Sequence, residues 1–343
     1  MPSYEFLFSV IIPTFNRSAE IKELLNSLTY QTISEKDFEI IVVDDGSTDN
    51  TFELIETLQK ENVINLKLVK QDHKGPGEAR NLGMKTAKGK YFIFIDSDCI
   101  ADKNWLTAYK KAVENIDVAG FGGPDSVLPD FLPIQKAIDY SMTSFITTGG
   151  IRGHSKKKIS KYYPRSFNMG VRADIVEKIG GMGKLRHGQD IEFSNRILST
   201  GEPIIKVEDA IVYHKRRISI KKFFKQVYNW GVARINLYKI DEKMLELVHF
   251  FPALGTLLSF TVILLAFIFP NIFLPFVYIG IAILLLMALH GIIKYKDVKV
   301  FPYIPIIVVT QILGYGLGFI NAFIQRIIFG KNEFTGFVRN YYK

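Results

Sequence analysis

From Phe250 to about Phe329 the chain carries almost no charge, apart from the segment KYKDVK (294–299) and Arg326. Three apolar runs fill this stretch, at roughly 249–270, 271–293 and 301–328. Each is long enough to cross the hydrocarbon core of a bilayer, which needs about 20 residues of helix. The turn at Pro270-Asn271 has no basic residue, whereas KYKDVK is basic. Positive charge stays on the cytoplasmic side. That rule puts the rest of the chain and KYKDVK in the cytoplasm and the Pro270 turn outside. Three full crossings would then place the basic tail 331–343 outside, against the same rule. Either the third run is re-entrant or the rule fails for the last span. In that run Gln311, Gly314, Gly318, Asn321 and Gln325 fall at spacings of three and four. Such a stripe marks a side that faces protein, for helix packing or for a substrate path.

Residues 1 to about 245 read as an ordinary soluble part. MPSYEF lacks the basic start of a secretory signal, so this part is expected to stay in the cytoplasm. The single cysteine, Cys99, allows no internal disulfide, which fits a reducing compartment. The net charge of +9 gathers at 156–165 and 215–225. No nucleic-acid motif accompanies it, so an anionic bilayer surface or an anionic substrate is the better partner. There is no internal repeat.

Apolar runs at 8–15, 38–44, 65–71 and 90–95 alternate with amphipathic segments at 18–28, 50–60, 75–89 and 103–115. Alternating strands and helices predict an α/β fold, a mostly parallel sheet with helices on both faces. In open sheets of this kind ligands bind beyond the carboxyl ends of the strands. Three strands end in polar clusters: PTFNR (13–17), DDGS (44–47) and DSD (96–98).

Two acids spaced one residue apart, Asp96 and Asp98, point to the same side if the segment stays extended. Their repulsion calls for a positive partner. A hard divalent cation, which takes one or two carboxylates and completes its shell with phosphate and water, is one answer. The other is that one acid caps the helix near Lys103 and its neighbour is solvated.

The order P-T-F-N, D-D-G-S, then Gly75 or Gly77 with Ala79, Arg80 and Asn81, then D-S-D resembles the family 2 inverting glycosyltransferases of GT-A fold, over residues 8 to about 234. The resemblance implies that Pro13 and Phe15 hold the nucleotide base, and that Val43 and Asp45 contact base and ribose while Asp44 supports the turn. It implies that Asp96 and Ser97 approach ribose and diphosphate and that Asp98 ligates Mg²⁺ or Mn²⁺. Arg80 is expected to pair with these aspartates or with a phosphate.

Further along, SFNMGVRADIVEKIGGM (166–182) looks like the acceptor-side segment of that family, with Asn168 beginning a turn under the sugar. GQDIEFSNRI (188–197) resembles its E-D motif, with Gln189 in place of Glu and Asp190 as the general base. An inverting displacement needs such a carboxylate to take the acceptor hydroxyl's proton. As the start of a helix, Asp190 could instead be an N-cap. His214 stands where relatives carry a histidine near the metal, and His187 has a weaker case. The basic loop 149–165 is either solvated or a lid over the donor.

Residues 215–238 place Ile220, Phe223, Phe224, Val227, Ile235 and Tyr238 near one helical face, among many lysines. This is the pattern of a helix in the membrane interface, or of one packed on the catalytic part. Within it QVYNW (226–230) partly resembles the Q-x-x-R-W motif of processive synthases, keeping Gln226 and Trp230 and replacing Arg with Asn229. Trp230 is expected on the acceptor side. The expected layout is a catalytic domain at 1–214, an interfacial region at 215–245, apolar helices at 246–330 and a basic tail. The expected function is transfer from a nucleotide sugar, a UDP-sugar, to a lipid-linked or growing glycan acceptor. A nucleotidyltransferase would need a glycine- and lysine-rich loop after the first strand, which PTFNRSAE is not. A non-catalytic scaffold is the remaining alternative.

Overall fold

The computed structural model describes residues 4–61, 64–126, 131–144, 147, 162–214 and 219–337. Most of the loop 149–165, the start of the basic segment 215–225 and the end of the tail 331–343 lie outside the described residues. The N-terminal part opens with β1 (Phe6–Thr14), α1 (Ser18–Thr29), β2 (Phe38–Asp44), α2 (Thr51–Glu61), β3 (Leu66–Lys70), α3 (Pro76–Thr86) and β4 (Gly89–Phe94). It continues with β5 (Cys99–Ala101), α4 (Trp105–Asn115), β6 (Gly120–Gly122), β7 (Asp125–Ser126) and α5 (Pro133–Thr143). After these come β8 (Met169–Arg172), α6 (Ala173–Ile179), α7 (Gln189–Leu198), β9 (Ile204–Lys206) and β10 (Val212–His214).

Seven strands form one sheet in the order β3-β2-β1-β4-β8-β6-β9. The first four listed pair in parallel, with Ile11 opposite Ile41 in β1 and β2. Strand β8 runs antiparallel to both β4 and β6. The period-two alternation of side chains assigns each strand residue to one face. Phe8, Val10, Ile12, Ile40 and Val42 pack under Leu24 and Leu28 of α1, Ile55 of α2 and Trp105 of α4. On the opposite face Ile11 and Phe94 pack with Met84 of α3, Ile175 of α6 and Phe193 of α7. Both faces are covered, which is why the strands read as continuous apolar runs.

A second sheet of three short strands, β5-β10-β7, sits beside the first. Its antiparallel register puts His214 opposite Cys99.

Beyond β10 the chain forms α8 (Ile220–Tyr238), then α9 (Phe251–Ile268), α10 (Pro270–Tyr295) and α11 (Tyr303–Phe323), the last running into a π-turn at Ile324–Ile328. Three helical stretches, Leu247–Ile268, Pro270–Tyr295 and Tyr303–Ile328, are long and apolar enough to cross a membrane. The junction between the first two falls at Phe269-Pro270, where proline is tolerated as the first residue of a new helix. Helix α8 packs along α11: Val227 and Phe224 lie against Gly314, and the Tyr228 backbone lies against Gly318. The small-residue stripe of the third apolar run is thus a packing surface.

Candidate active site

The carboxyl ends of β1 and β2 are tied to each other before any ligand is considered. Asn16 takes a left-handed conformation (φ 50°), which asparagine tolerates better than most residues. Its side-chain oxygen accepts from Thr48 N at 2.8 Å, and Arg17 N donates to Thr51 Oγ1 at 2.9 Å. Asp44 accepts from Ser47 N at 3.2 Å and so supports the turn, as expected. Asp45 is buried and gathers the loop after β3: Lys74 N and Gly75 N each donate to it at 2.8 Å, and Gln71 Nε2 donates at 2.6 Å. His73 Nδ1 lies 2.9 Å from the same carboxylate. This holds the His73 ring stacked on Phe15, with centroids 4.1 Å apart.

The D-S-D segment does not stay extended. Strand β4 ends at Phe94, and Cys99 N closes a turn onto the Asp96 carbonyl at 3.0 Å. The two carboxylates therefore part, and each meets its own arginine. Asp96 pairs with Arg80, a nearly buried guanidinium of α3. Asp98 pairs with Arg17 Nη1 at 3.1 Å. The capping alternative goes to another residue, because Asp102 Oδ1 accepts from Asn104 N ahead of α4.

Strand β10 brings His214 Nε2 to 3.2 Å from Asp98 Oδ1. Asp98, Cys99 and His214 each offer one ligand atom, and these atoms lie within 4.8 Å of one another. Burial pushes the Cys99 thiol well above its usual range, and Asp98 and Asp96 add to the shift. A soft sulfur donor suits neither Mg²⁺ nor Mn²⁺, which prefer oxygen. The donor set that fits a cation is thus one carboxylate oxygen and one imidazole nitrogen, leaving positions for phosphate and water. The carboxylate suits Mg²⁺ or Mn²⁺, and the imidazole is the softer of the two donors.

Asp190 stands in the first turn of α7, whose N-cap Gly188 is left-handed (φ 82°). Its Oδ1 accepts from Ile191 N at 3.0 Å, and its Oδ2 lies 3.5 Å from Arg165 Nη1. Gln189 donates to the Gly183 carbonyl and fills the space left by Gly77, which has no Cβ. The start of α7, with Asp190, is thereby packed on the start of α3, which carries Arg80. Burial holds the Arg234 guanidinium of α8 below its usual range, opposed by Tyr315, with nearby Arg165 adding to the lowering. Gly188 also lies against Ala233 and Leu237 of α8.

Four of the residues expected at the ligand, Asn168, Val43, Pro13 and Ser97, have buried side chains. Asn168 is 1 % exposed, with its side chain turned into the fold. Its Oδ1 accepts from Trp105 Nε1 at 2.8 Å and from Tyr109 Oη at 2.5 Å. Its Nδ2 donates to the Pro124 and Ala210 carbonyls at 3.1 and 2.8 Å. Val43 is fully buried with Ile41 and Ala79, so its side chain meets the helix layer and not a base. Pro13, opposite Val43 in the sheet, is buried as well. Ser97 is buried in the D-S-D turn. Gln189 serves the α3–α7 junction. Trp230 packs against the cluster formed by α5, α10 and α11. Asn229 accepts from Phe337 N at 2.9 Å and donates to its carbonyl at 3.2 Å. His187 sits in the turn before α7. Arg17, Asp98 and His214 meet at one point, Arg80 holds Asp96 in the same D-S-D turn, Phe15 stacks on His73 just after β1, and Asp190 stands with Arg165 at the start of α7. Sequence reasoning missed Arg17, His73 and Arg165. Arg17 stood inside the PTFNR cluster and Arg165 at the end of the basic loop 149–165; His73 carried no local signal.

The model of the family described as Glycosyl transferase family 2 matches residues 9–180. The glycosyltransferase AglE of Haloferax volcanii is 28 % identical over 256 residues, covering 74 % of this chain and 80 % of that protein. The poly(ribitol-phosphate) beta-N-acetylglucosaminyltransferase TarS of Staphylococcus aureus is 38 % identical over 141 residues, covering 37 % of this chain and 24 % of TarS. The chain thus spans about a quarter of TarS. Among solved structures, the mannosyltransferase PcManGT of Pyrobaculum calidifontis superposes with a TM-score of 0.63 at 17 % identity, covering 91 % of this chain and 88 % of that one. That likeness is one of fold.

Proposed function

The chain belongs to glycosyl transferase family 2, and from that premise we propose that it moves a sugar from a UDP-sugar to a lipid-linked or growing glycan acceptor, inverting the anomeric carbon. The reaction takes place on the cytoplasmic face of a membrane. The observation that carries the reading is the pairing of Asp98 with His214, 3.2 Å apart at the end of β4, where a diphosphate would have to lie.

Phe15 and His73 offer a stacked edge for the base, and Asp45 keeps that edge rigid through its three N–H donors. Arg80 orients Asp96 beside the ribose and diphosphate. Asp98 and His214 would hold a divalent cation, whose role is to neutralise the departing diphosphate. Asp190 takes the proton from the acceptor hydroxyl as its oxygen bonds to the anomeric carbon and the bond to the diphosphate breaks. Arg165, 3.5 Å away, orients that carboxylate. The start of α7 borders α8, and α8 borders the apolar helices, so an acceptor anchored in lipid reaches Asp190 from the membrane side.

The test incubates the purified protein with Mg²⁺ or Mn²⁺, a panel of labelled sugar nucleotides and lipids from a membrane extract. Label entering the organic phase from one donor supports the reading. Cleavage of donors with no transfer to any lipid or glycan, or no turnover at all, refutes it.

A further inference from the structure

Both ends of α11 are held by elements that precede the first apolar helix. At its start, Ile304, Ile307 and Val308 are buried with Ala137, Ile138 and Tyr140 of α5. The chain just before it is pinned to the same helix. Tyr295 Oη donates to Asp139 at 2.6 Å, and Lys136 Nζ lies 2.9 Å from Asp297. At its other end α11 runs parallel to α8, because Phe224, Tyr228 and Asn236 meet Gly314, Gly318 and Arg326 in step. The chain after α11 then returns to α8, where Asn236 Nδ2 donates to the Phe334 carbonyl at 2.9 Å and Asn229 binds the Phe337 backbone.

Helices α9 and α10 behave differently. The first turns of α9 meet α11 through Ala253 and Thr256, the latter donating to the Ile312 carbonyl at 3.1 Å. The last turns of α10 meet it through Met287, Ala288 and Gly291. Away from these feet the pair is largely exposed apolar surface, as at Leu264, Phe267, Ile272 and Phe276. From Ile304, at the foot of α10, to Gly316, at the foot of α9, α11 advances about 18 Å. Packed neighbouring helices are only about 8–10 Å apart. Helix α11 therefore crosses beneath the hairpin and does not run beside it.

We propose that only α9 and α10 cross the bilayer, and that α11 lies in the membrane surface on the catalytic side. Its exposed residues Tyr303, Ile306 and Val309, at spacings of three, form a stripe that faces lipid. The occupant of that stripe is lipid because the stripe is continuous with the feet of an apolar hairpin. Lys221, Lys222, Lys225 and Lys296 are exposed near the same level, where anionic headgroups lie. A full crossing by α11 would require one of its ends to leave α5 or α8. With α11 in the plane, the basic tail stays on the catalytic side and the positive-inside rule is kept.

The test places one spin label at a time on Tyr303→Cys, Val309→Cys, Phe323→Cys and, as a deep reference, Ile263→Cys. All four positions are exposed, and buried Cys99 stays in place. The full chain is reconstituted in phosphatidylcholine vesicles with a minor share of phosphatidylglycerol, and label depth is read by collision with oxygen and a water-soluble relaxant. The expected result is one common shallow depth for the three α11 sites and a deep Ile263 site. Tyr303 and Phe323 at opposite surfaces, about 30 Å apart with Val309 deep, would overturn the proposal. Independently, an impermeant reagent should reach a C-terminal tag from the same side as an N-terminal tag and reach Asn271→Cys from the other. A C-terminal tag on the Asn271 side overturns it as well.

Discussion

Replacing Asn168 with alanine tests whether this residue is scaffold or substrate contact. The side chain joins Trp105 and Tyr109 of α4 to the carbonyls of Pro124 and Ala210, just before β7 and β10. Asn168→Ala leaves the Trp105 and Tyr109 donors and the Ala210 carbonyl without that partner in a site that is 1 % exposed, while the Pro124 carbonyl keeps Val212 N at 3.3 Å. Each buried polar group left unsatisfied costs about 1–3 kcal/mol. Taking the low end for three groups, the loss is about 3 kcal/mol. For a part of this size, 1 kcal/mol moves the melting midpoint by about 2–4 °C, so a fall of about 6–12 °C is expected. Asn168→Asp keeps an acceptor for Trp105 and Tyr109 but turns an oxygen on two carbonyls, and is expected to be no better. The assay is thermal unfolding of the full chain in detergent, followed by intrinsic fluorescence, with donor binding measured below the midpoint. If Asn168→Ala melts within about 2 °C of the parent while transfer is lost, the scaffold reading is wrong and the side chain serves the substrate.

Asp190→Asn is expected to keep donor binding and to lower transfer by about 10²–10⁴-fold, the usual worth of a general base, measured in single-turnover transfer. Asp98→Asn and His214→Ala should each weaken the cation-dependent part of nucleotide binding in calorimetry while leaving the cation-independent part unchanged. Cys99, buried and with its thiol pushed up, should resist iodoacetamide at pH 8 in the folded protein and react after denaturation. Its labelling at the rate of a free thiol would contradict the burial. The hydrogen bond from Arg172 holds the Asp174 carboxyl below its ordinary value, although burial opposes this. Its stabilising share is therefore present above the ordinary carboxylate pKa and fades as pH falls through the lowered one. Asp174→Asn should accordingly be less stable than the parent at neutral pH, with the gap closing in acid. Gly231 lies against the Tyr315 and Phe319 backbone of α11, so Gly231→Val should separate α8 from α11, read as new protease cleavage between them.

Periodicity and hydropathy act over a few residues, and what they control was legible in the chain. The α/β alternation, the helix break at Pro270, and the polar clusters ending β1, β2 and β4 follow from which side chains must leave water. The acidic pair at 96 and 98 was visible as a site for the same reason: two carboxylates at the end of an apolar strand need partners. Which partners they take was not visible. Arg17 is fixed on Asp98 by the Asn16 turn, and His214 reaches Asp98 only because β10 pairs with β5 in one register. Asn168, Val43 and Pro13 have the residue types of a binding segment, yet their surroundings bury them. Hydropathy likewise records that α11 is long and apolar without recording what covers it. Burial is a property of the assembled fold, set by contacts between segments far apart in the chain, so the sequence alone determined the elements and the tertiary structure decided which side chains are buried, which meet at the strand ends and which helix faces stay exposed.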